Sequence, residues 1–158
     1  MNAHEVPYVI LVVEDDPDHA ALIEAVFSKR DRNAYVRVTR TAEEAVAFLA
    51  GPWPDTDWGR GEPPDIIVLD VLMPGMGGLG FLDWYSTQDK LAEVPVVVFT
   101  SSDDPDLARR CFALGAREFK TKPTDFTELV DVVHRVLDRW RPGNPTSGRP
   151  RRLGDGLA

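Results

Sequence analysis

The sequence predicts an α/β domain in which helices cover both faces of a parallel sheet. Short apolar runs alternate five times with segments of helical periodicity, a pattern typical of parallel strands connected by helices. Residues 96–99 (VVVF) are all apolar, as expected for a strand that is buried on both of its faces. With 158 residues, 43% of them hydrophobic, the chain is long enough for one domain with its own core.

The five strands are predicted where short runs of apolar and β-branched side chains occur. They are expected at residues 8–13, 35–38, 66–69, 94–99 and 117–120. The second run is weaker than the first, and the fifth is short.

The first three helices are predicted from capping residues and apolar spacing. Pro17 stands where the first turn of a helix tolerates proline, and apolar residues follow it at helical intervals. The segment 41–44 (TAEE) is a capping box for a second helix that continues through Leu49. The third helix is predicted from the spacing of Leu79, Phe81, Leu82 and Tyr85.

The last two helices are delimited by residues that favour helix ends. Asp104 and Pro105 begin the predicted fourth helix, and Gly115 ends it. Thr124 is predicted to cap the final helix. The apolar stripe of this helix is predicted to comprise Phe126, Leu129, Val132, Val133, Val136 and Leu137.

Composition narrows the range of functions. The formal net charge of −8 argues against general affinity for nucleic acids or membranes, which would repel the chain. A single cysteine, Cys111, cannot form an intramolecular disulfide, which suits a reducing cytoplasm. The polar residues 1–7 do not begin a signal peptide, and no apolar run approaches ~20 residues. His4, His19 and His134 share no spacing typical of a metal site. A cytoplasmic protein is expected.

Chemically active side chains follow the carboxyl ends of four predicted strands. Residues 14–16 (EDD) follow the first strand, Asp70 the third, residues 100–102 (TSS) end the fourth, and Lys122 follows the fifth. Ligands of open parallel sheets bind at this edge. Converging carboxylates suit Mg²⁺, which accepts a few carboxylates together with waters and phosphate oxygens. The sequence therefore predicts a magnesium site, with a hydroxyl and an ammonium group available to a phosphoryl group.

Four motifs in the right order give the chain a resemblance to a known family. "VVEDDP", "IIVLDVLMPGMGG", "VVVFTSSD" and "FKTKP" resemble the receiver domain of two-component response regulators (the CheY-like superfamily) over roughly residues 6–140. The insertion "AGPWPDTDWGRGEPPD" is similar to that of the phytochrome-associated, single-domain type. The resemblance implies a flavodoxin-like (βα)₅ fold, doubly wound around a five-stranded parallel sheet, with a phosphorylatable aspartate.

The resemblance assigns roles to individual residues. Asp70 would be the phosphoacceptor, and Mg²⁺ would be held by Glu14 (mainly through water), Asp15, Asp70 and the backbone carbonyl of Leu72. The phosphoryl-binding and switch residues would be Thr100, Ser101, Lys122 and Phe119. Pro74 would shape the turn after the third strand, and the peptide bond between Lys122 and Pro123 would be cis.

Three positions depart from the family pattern. Gly77 stands where the family commonly has an aspartate, which removes an expected helix cap. Phe119 offers no phenolic hydroxyl at the switch position. Leu72 stands two residues after Asp70, where a phosphatase with an aspartyl nucleophile would need a second acid. A phosphatase function is therefore disfavoured.

Two functions remain from the sequence. The first is a phosphorylation switch that receives its phosphoryl group from a histidine kinase, with a bacteriophytochrome as one candidate. The second is a docking domain that works without phosphate. Residues 1–140 are assigned to the receiver domain and residues 141–158 to an Arg/Pro/Gly-rich tail with four arginines and one aspartate. The tail is too short for a DNA-binding output domain, so we expect output by docking, with a homodimer through the fourth helix, fifth strand and fifth helix.

Overall fold

A computed structural model describes residues 8–30, 34–53 and 62–144. The middle of the insertion (54–61), the start of the chain with His4, and most of the predicted tail (145–158) lie outside the described residues. The described strands are β1 (Tyr8–Val13), β2 (Ala34–Thr39), β3 (Ile66–Leu69), β4 (Val96–Thr100) and β5 (Glu118–Thr121). The helices are α1 (Pro17–Arg30), α2 (Ala42–Ala50), α3 (Gly77–Ser86), α4 (Pro105–Ala113) and α5 (Phe126–Trp140), with a 3₁₀ turn at Asp89–Leu91.

The five described strands form one parallel sheet in the order β2-β1-β3-β4-β5. Successive side chains of a strand point to opposite faces, so an apolar strand contributes to two cores. Ile10 and Val12 pack with α1 and α5 on one face, whereas Leu11 and Val13 pack with α2, α3 and α4 on the other. This arrangement confirms the predicted doubly wound (βα)₅ fold.

Helix capping agrees with the sequence in α2 and α4. Thr41 Oγ1 accepts the N–H of Glu44 at 3.0 Å, and Asp104 accepts the N–H of Asp106 at 3.0 Å. The start of α3 lacks a side-chain cap, as expected from the missing aspartate. Gly77 has a φ of 70°, a conformation that glycine adopts without strain.

Two predictions about α5 are wrong. The cap is Asp125, which accepts the N–H of Glu128 at 3.0 Å, and not Thr124, because the helix begins one residue later than expected. Phe126, the first residue of the helix, is 65% exposed and does not belong to the apolar stripe. The stripe itself is buried against the sheet at Leu129, Val133, Val136, Leu137 and Trp140.

The expected cis bond before Pro123 is also wrong. All peptide bonds of the described residues are trans. The trans form remains the preferred one before proline, by about 0.5–1 kcal/mol, so the dipeptide alone does not require a cis bond.

No helix in the described part of the chain combines the length and the apolar character needed to span a membrane.

Candidate functional site

The sheet brings together side chains from the ends of four strands. The Asp70 N–H donates to the carbonyl of Val13 at 3.0 Å, which joins the ends of β3 and β1. The Lys122 N–H donates to the carbonyl of Thr100 at 2.6 Å, which joins the ends of β5 and β4. Residues that are up to 108 positions apart in sequence therefore meet at one edge of the sheet, as the strand order requires.

Three carboxylates form the acidic part of this site. Glu14, Asp15 and Asp70 each offer an oxygen, and these oxygens lie within 4.8 Å of one another. Glu14 and Asp70 are only 2% and 6% exposed, whereas Asp15 is exposed. Buried carboxylates that crowd together repel one another unless a cation compensates them. The donor set, hard oxygens open to solvent on one side, fits a divalent cation such as Mg²⁺.

Lys122 places a positively charged ammonium group against two of these carboxylates. Its buried ammonium Nζ lies 2.6 Å from Glu14 Oε2 and 3.2 Å from Asp70 Oδ2. Burial raises the pKa of Glu14 to about 7; the hydrogen bond from Lys122 opposes this rise, and the negative charge of Asp70 adds to it. One ammonium group for three carboxylates leaves an excess of negative charge, which favours a bound metal ion.

Thr100 and Asp70 carry the groups that would meet a phosphoryl group. Thr100 is fully buried, and its Oγ1 has no hydrogen-bond partner among the described residues. An unpaired buried hydroxyl destabilises a fold by about 1–3 kcal/mol, so its retention suggests a partner that arrives later. Asp70 Oδ1 accepts the N–H of Leu72 at 2.9 Å, which fixes the orientation of the carboxylate.

The other predicted residues lie around this centre or apart from it. Ser101 is exposed, and Pro74 lies in the exposed turn between β3 and α3. Leu72 is 51% exposed. Phe119 is half-buried and packs on the core that α2, α3 and α4 share with the sheet.

Two residues near the site were missed in the sequence. His19, in the first turns of α1, places Nδ1 3.0 Å from Lys122 Nζ. Glu43, in the first turn of α2, accepts the N–H of Met76 at 2.7 Å and thereby holds the turn between β3 and α3. This hydrogen bond lowers the pKa of Glu43. The position of His19, three residues after Asp16, places it near this edge of the sheet, but its contact with Lys122 depends on how α1 packs.

Gly75 permits the close approach of Glu43 to this turn. Its φ is 78°, and a Cβ atom there would lie 2.8 Å from Glu43 Oε1. A side chain at this position would therefore be strained and would push against the carboxylate.

Comparison with known proteins agrees with this arrangement. Residues 10–134 match the family described as the response regulator receiver domain. The probable methanogenesis regulatory protein FilR2 of Methanothrix harundinacea (strain 6Ac) is 28% identical over 144 residues, which are 91% of this chain and 90% of that protein. The phosphate regulon transcriptional regulatory protein PhoB of Escherichia coli (strain K12) is 31% identical over 134 residues, 84% of this chain. The chain spans only 53% of PhoB.

Solved structures show the same fold. The phosphorylated cyanobacterial phytochrome response regulator RcpA superposes with a TM-score of 0.76 at 25% identity, covering 85% of this chain and 94% of RcpA. The Mn²⁺-bound form of response regulator Rcp1 gives 0.73 at 27% identity, with the same coverage. These likenesses confirm the flavodoxin-like fold and the predicted similarity to phytochrome-associated regulators. Since the family match includes most of the residues and all four strand ends of the site, the chain belongs to the response regulator receiver domain family of two-component systems.

Proposed function

We propose that this protein is a phosphorylation switch in which Asp70 accepts a phosphoryl group from a histidine kinase. The observation that carries the proposal is the buried contact of Lys122 Nζ with Asp70 Oδ2, together with the buried Thr100 hydroxyl at the end of the neighbouring strand, which has no hydrogen-bond partner among the described residues. A lone structural ion pair would not need that hydroxyl. The phosphate-independent docking domain is disfavoured because the acceptor, the acidic pair, the hydroxyl and the lysine are all present.

The residues of the chain would divide the chemistry between them. An Asp70 carboxylate oxygen attacks phosphorus, the bond from phosphorus to the donor's histidine nitrogen breaks, and an acyl phosphate forms. Lys122 donates to a phosphoryl oxygen and compensates its negative charge, and Thr100 Oγ1 donates to another. Ser101, next to Thr100 and exposed, would reach the group from the solvent side.

A divalent cation would be held by Glu14, Asp15, Asp70 and the backbone carbonyl of Leu72. When bound, Mg²⁺ would neutralise charge on the phosphoryl oxygens during transfer. Transfer in such a site depends on positioning and electrostatics, so the protein would catalyse its own phosphorylation without being an enzyme in the ordinary sense.

The signal would leave the protein through docking. Phe119 packs beside α4 and would report the state of the pocket to the surface formed by α4, β5 and α5, through which we propose a homodimer. A histidine kinase coupled to a phytochrome is the candidate donor, because RcpA is a phytochrome response regulator. We propose no nucleic-acid or membrane partner, in keeping with the net charge of −8.

Intact-mass measurement tests this function. The protein is incubated with acetyl phosphate and Mg²⁺, alongside Asp70→Asn and the control Asp83→Asn, which removes an exposed carboxylate of α3. We expect the mass of one phosphoryl group in the wild type and in Asp83→Asn, and none in Asp70→Asn. Equal labelling of Asp70→Asn would refute the assignment of the acceptor.

A further inference from the structure

The Lys122 ammonium has a third neighbour in addition to the two carboxylates. His19 Nδ1 lies 3.0 Å from Lys122 Nζ, on the side of the pocket formed by α1. An ammonium group carries three protons and no lone pair. Glu14 Oε2, Asp70 Oδ2 and His19 Nδ1 therefore match the three donors of this buried group one for one.

The contact defines the state of the imidazole. Because the ammonium can only donate, Nδ1 must accept, and the ring proton lies on Nε2. A proton on Nδ1 would point at the ammonium. Within the described part of the chain, Asp16 also contacts His19: its Oδ2 lies 3.7 Å from Nδ1, and its Oδ1 accepts the backbone N–H of His19 at 3.3 Å. The backbone of His19 is thus held by its own helix turn, and the ring places Nδ1 against Lys122.

The geometry points to His19 as a positioning residue that holds the Lys122 ammonium in the pocket, an inference that rests on the proposed function. If the third proton had no acceptor, a buried charged donor would be left unpaired, and lysine conformers outside the pocket would gain population. When a phosphoryl oxygen accepts a hydrogen bond from the ammonium, the hydrogen bonds of Lys122 to the carboxylates change. The His19 contact, which comes from α1, keeps the ammonium in place during that exchange.

Two substitutions of His19 distinguish the effect of the hydrogen-bond acceptor from that of the aromatic ring. His19→Asn keeps an acceptor close to the position of Nδ1, and His19→Phe keeps the ring but removes the acceptor. The side chain of His19 is 40% exposed, so neither substitution opens the core. His134→Phe, on α5, serves as the control for loss of a histidine elsewhere.

The first readout is the maximal rate of Mg²⁺-dependent phosphorylation by acetyl phosphate, followed by intact mass at about pH 8, where histidine is usually neutral. We expect His19→Phe to be slower by about tenfold, and His19→Asn and His134→Phe to stay within about twofold of the wild type. Labelling of the wild type combined with full-rate labelling of His19→Phe would overturn this inference alone. A wild-type protein that takes up no phosphoryl group would overturn the proposed function and, with it, the role of His19.

The second readout requires no phosphorylation. In the metal-free protein with ¹⁵N-labelled histidine, NMR should show His19 as the neutral tautomer with its proton on Nε2. Replacing Lys122 by methionine should shift the His19 Nδ1 signal and leave that of His134 in place. A proton on Nδ1, or a His19 signal that does not respond to the loss of Lys122, would show that the contact does not exist in solution.

Discussion

The ammonium of Lys122 lies 2.6 Å from the carboxylate of Glu14, and both side chains are almost completely buried. This pair joins the end of the first strand to the end of the last. Removing one partner of a buried pair leaves an uncompensated charge, which typically destabilises a protein by about 3–5 kcal/mol. The same ammonium also contacts Asp70. The pocket is therefore held together by the Lys122 ammonium, which the proposed reaction also uses. The metal affinity of the pocket should then depend on pH.

The affinity for Mg²⁺ should rise with pH. Burial raises the pKa of Glu14 to about 7 in the metal-free protein, so below this pH the carboxyl group is protonated, and a proton competes with the cation. We expect the affinity to fall by up to about tenfold for each pH unit below 7 and to level off above 8. Tryptophan fluorescence, to which Trp84 in α3 contributes, is titrated with Mg²⁺ at pH 6, 7 and 8 to measure this affinity. Glu14→Gln should make the Mg²⁺ affinity nearly independent of pH. Equal wild-type affinities at pH 6 and pH 8 would contradict the predicted competition between proton and cation.

Replacing Asp15 by alanine should abolish Mg²⁺ binding without unfolding the protein. The remaining carboxylates cannot meet the near-octahedral demand of the ion, and Asp15 is exposed, so its loss leaves the core intact. The same fluorescence titration provides the measurement. Asp18→Ala, which removes another exposed carboxylate at the start of α1, is the matched control and should bind normally. Unchanged affinity in Asp15→Ala would mean that the metal pocket is wrongly assigned.

Replacing Leu72 by asparagine should speed the loss of the phosphoryl group. Leu72 is 51% exposed and adjoins the acceptor through the hydrogen bond from its N–H to Asp70 Oδ1, but its side chain cannot orient a water molecule. Ser102, two residues after Thr100, can orient water but is a poor general base. One additional oriented water should accelerate hydrolysis by about tenfold, or ~1.4 kcal/mol in the barrier.

The decay of the phosphorylated form, followed by intact mass after acetyl phosphate is removed, checks the effect of Leu72→Asn. Met76→Asn, another exposed apolar residue of the same turn, is the control and should decay at the wild-type rate. If Leu72→Asn decays no faster than the wild type, access of water past this residue does not limit hydrolysis.

The homodimer stays a prediction, and its basis changes with the structure. The apolar stripe predicted for α5 is not available to a partner, because its members other than Phe126 pack in the core. What remains is β5, which has one paired neighbour among the described strands, and Phe112 of α4, which is half exposed. An edge strand is a favourable place for association. Light scattering at tens of micromolar (an estimate based on weak interfaces), with and without phosphorylation, should show a dimer in at least one state.

Substitution of Phe112 should locate the interface. We expect Phe112→Glu to return the protein to a monomer, and Met76→Glu, which changes an exposed methionine outside the proposed interface, to leave the dimer intact. A wild-type protein that is monomeric in both states would exclude the dimer at these concentrations.

The three central strands, β1, β3 and β4, could be predicted because their burial on two faces leaves a continuous apolar run. β1 and β3 were predicted with the observed bounds, whereas β4 and β5 are displaced by one or two residues. The apolar run that forms β4 already begins at Val94, in the connection before the strand. Hydrophobic periodicity does not show which residues of such a run pair with the sheet. Strand ends are set by pairing with neighbours, which the local sequence does not contain.

The residues at the strand ends could be predicted for the same reason, because strand order alone brings Glu14, Asp70 and Lys122 together. The contacts of His19 and Glu43 could not. Both side chains project from helices, and periodicity gives the face of a helix but not its neighbour across the edge of the sheet. Their partners depend on how α1 and α2 lie on the sheet, which is a property of the packed core.

Locating the modified residue in the phosphorylated protein tests most directly whether Asp70 becomes an acyl phosphate. Borohydride reduces an acyl phosphate to an alcohol, which would convert a phosphorylated aspartate to homoserine, and peptide mass spectrometry reads its position. After treatment with acetyl phosphate and Mg²⁺, we predict homoserine at position 70 only, and none when EDTA replaces Mg²⁺. Reduction at Asp15 or Glu14, or the absence of homoserine from a fully folded protein, would show that Asp70 is not the phosphoacceptor.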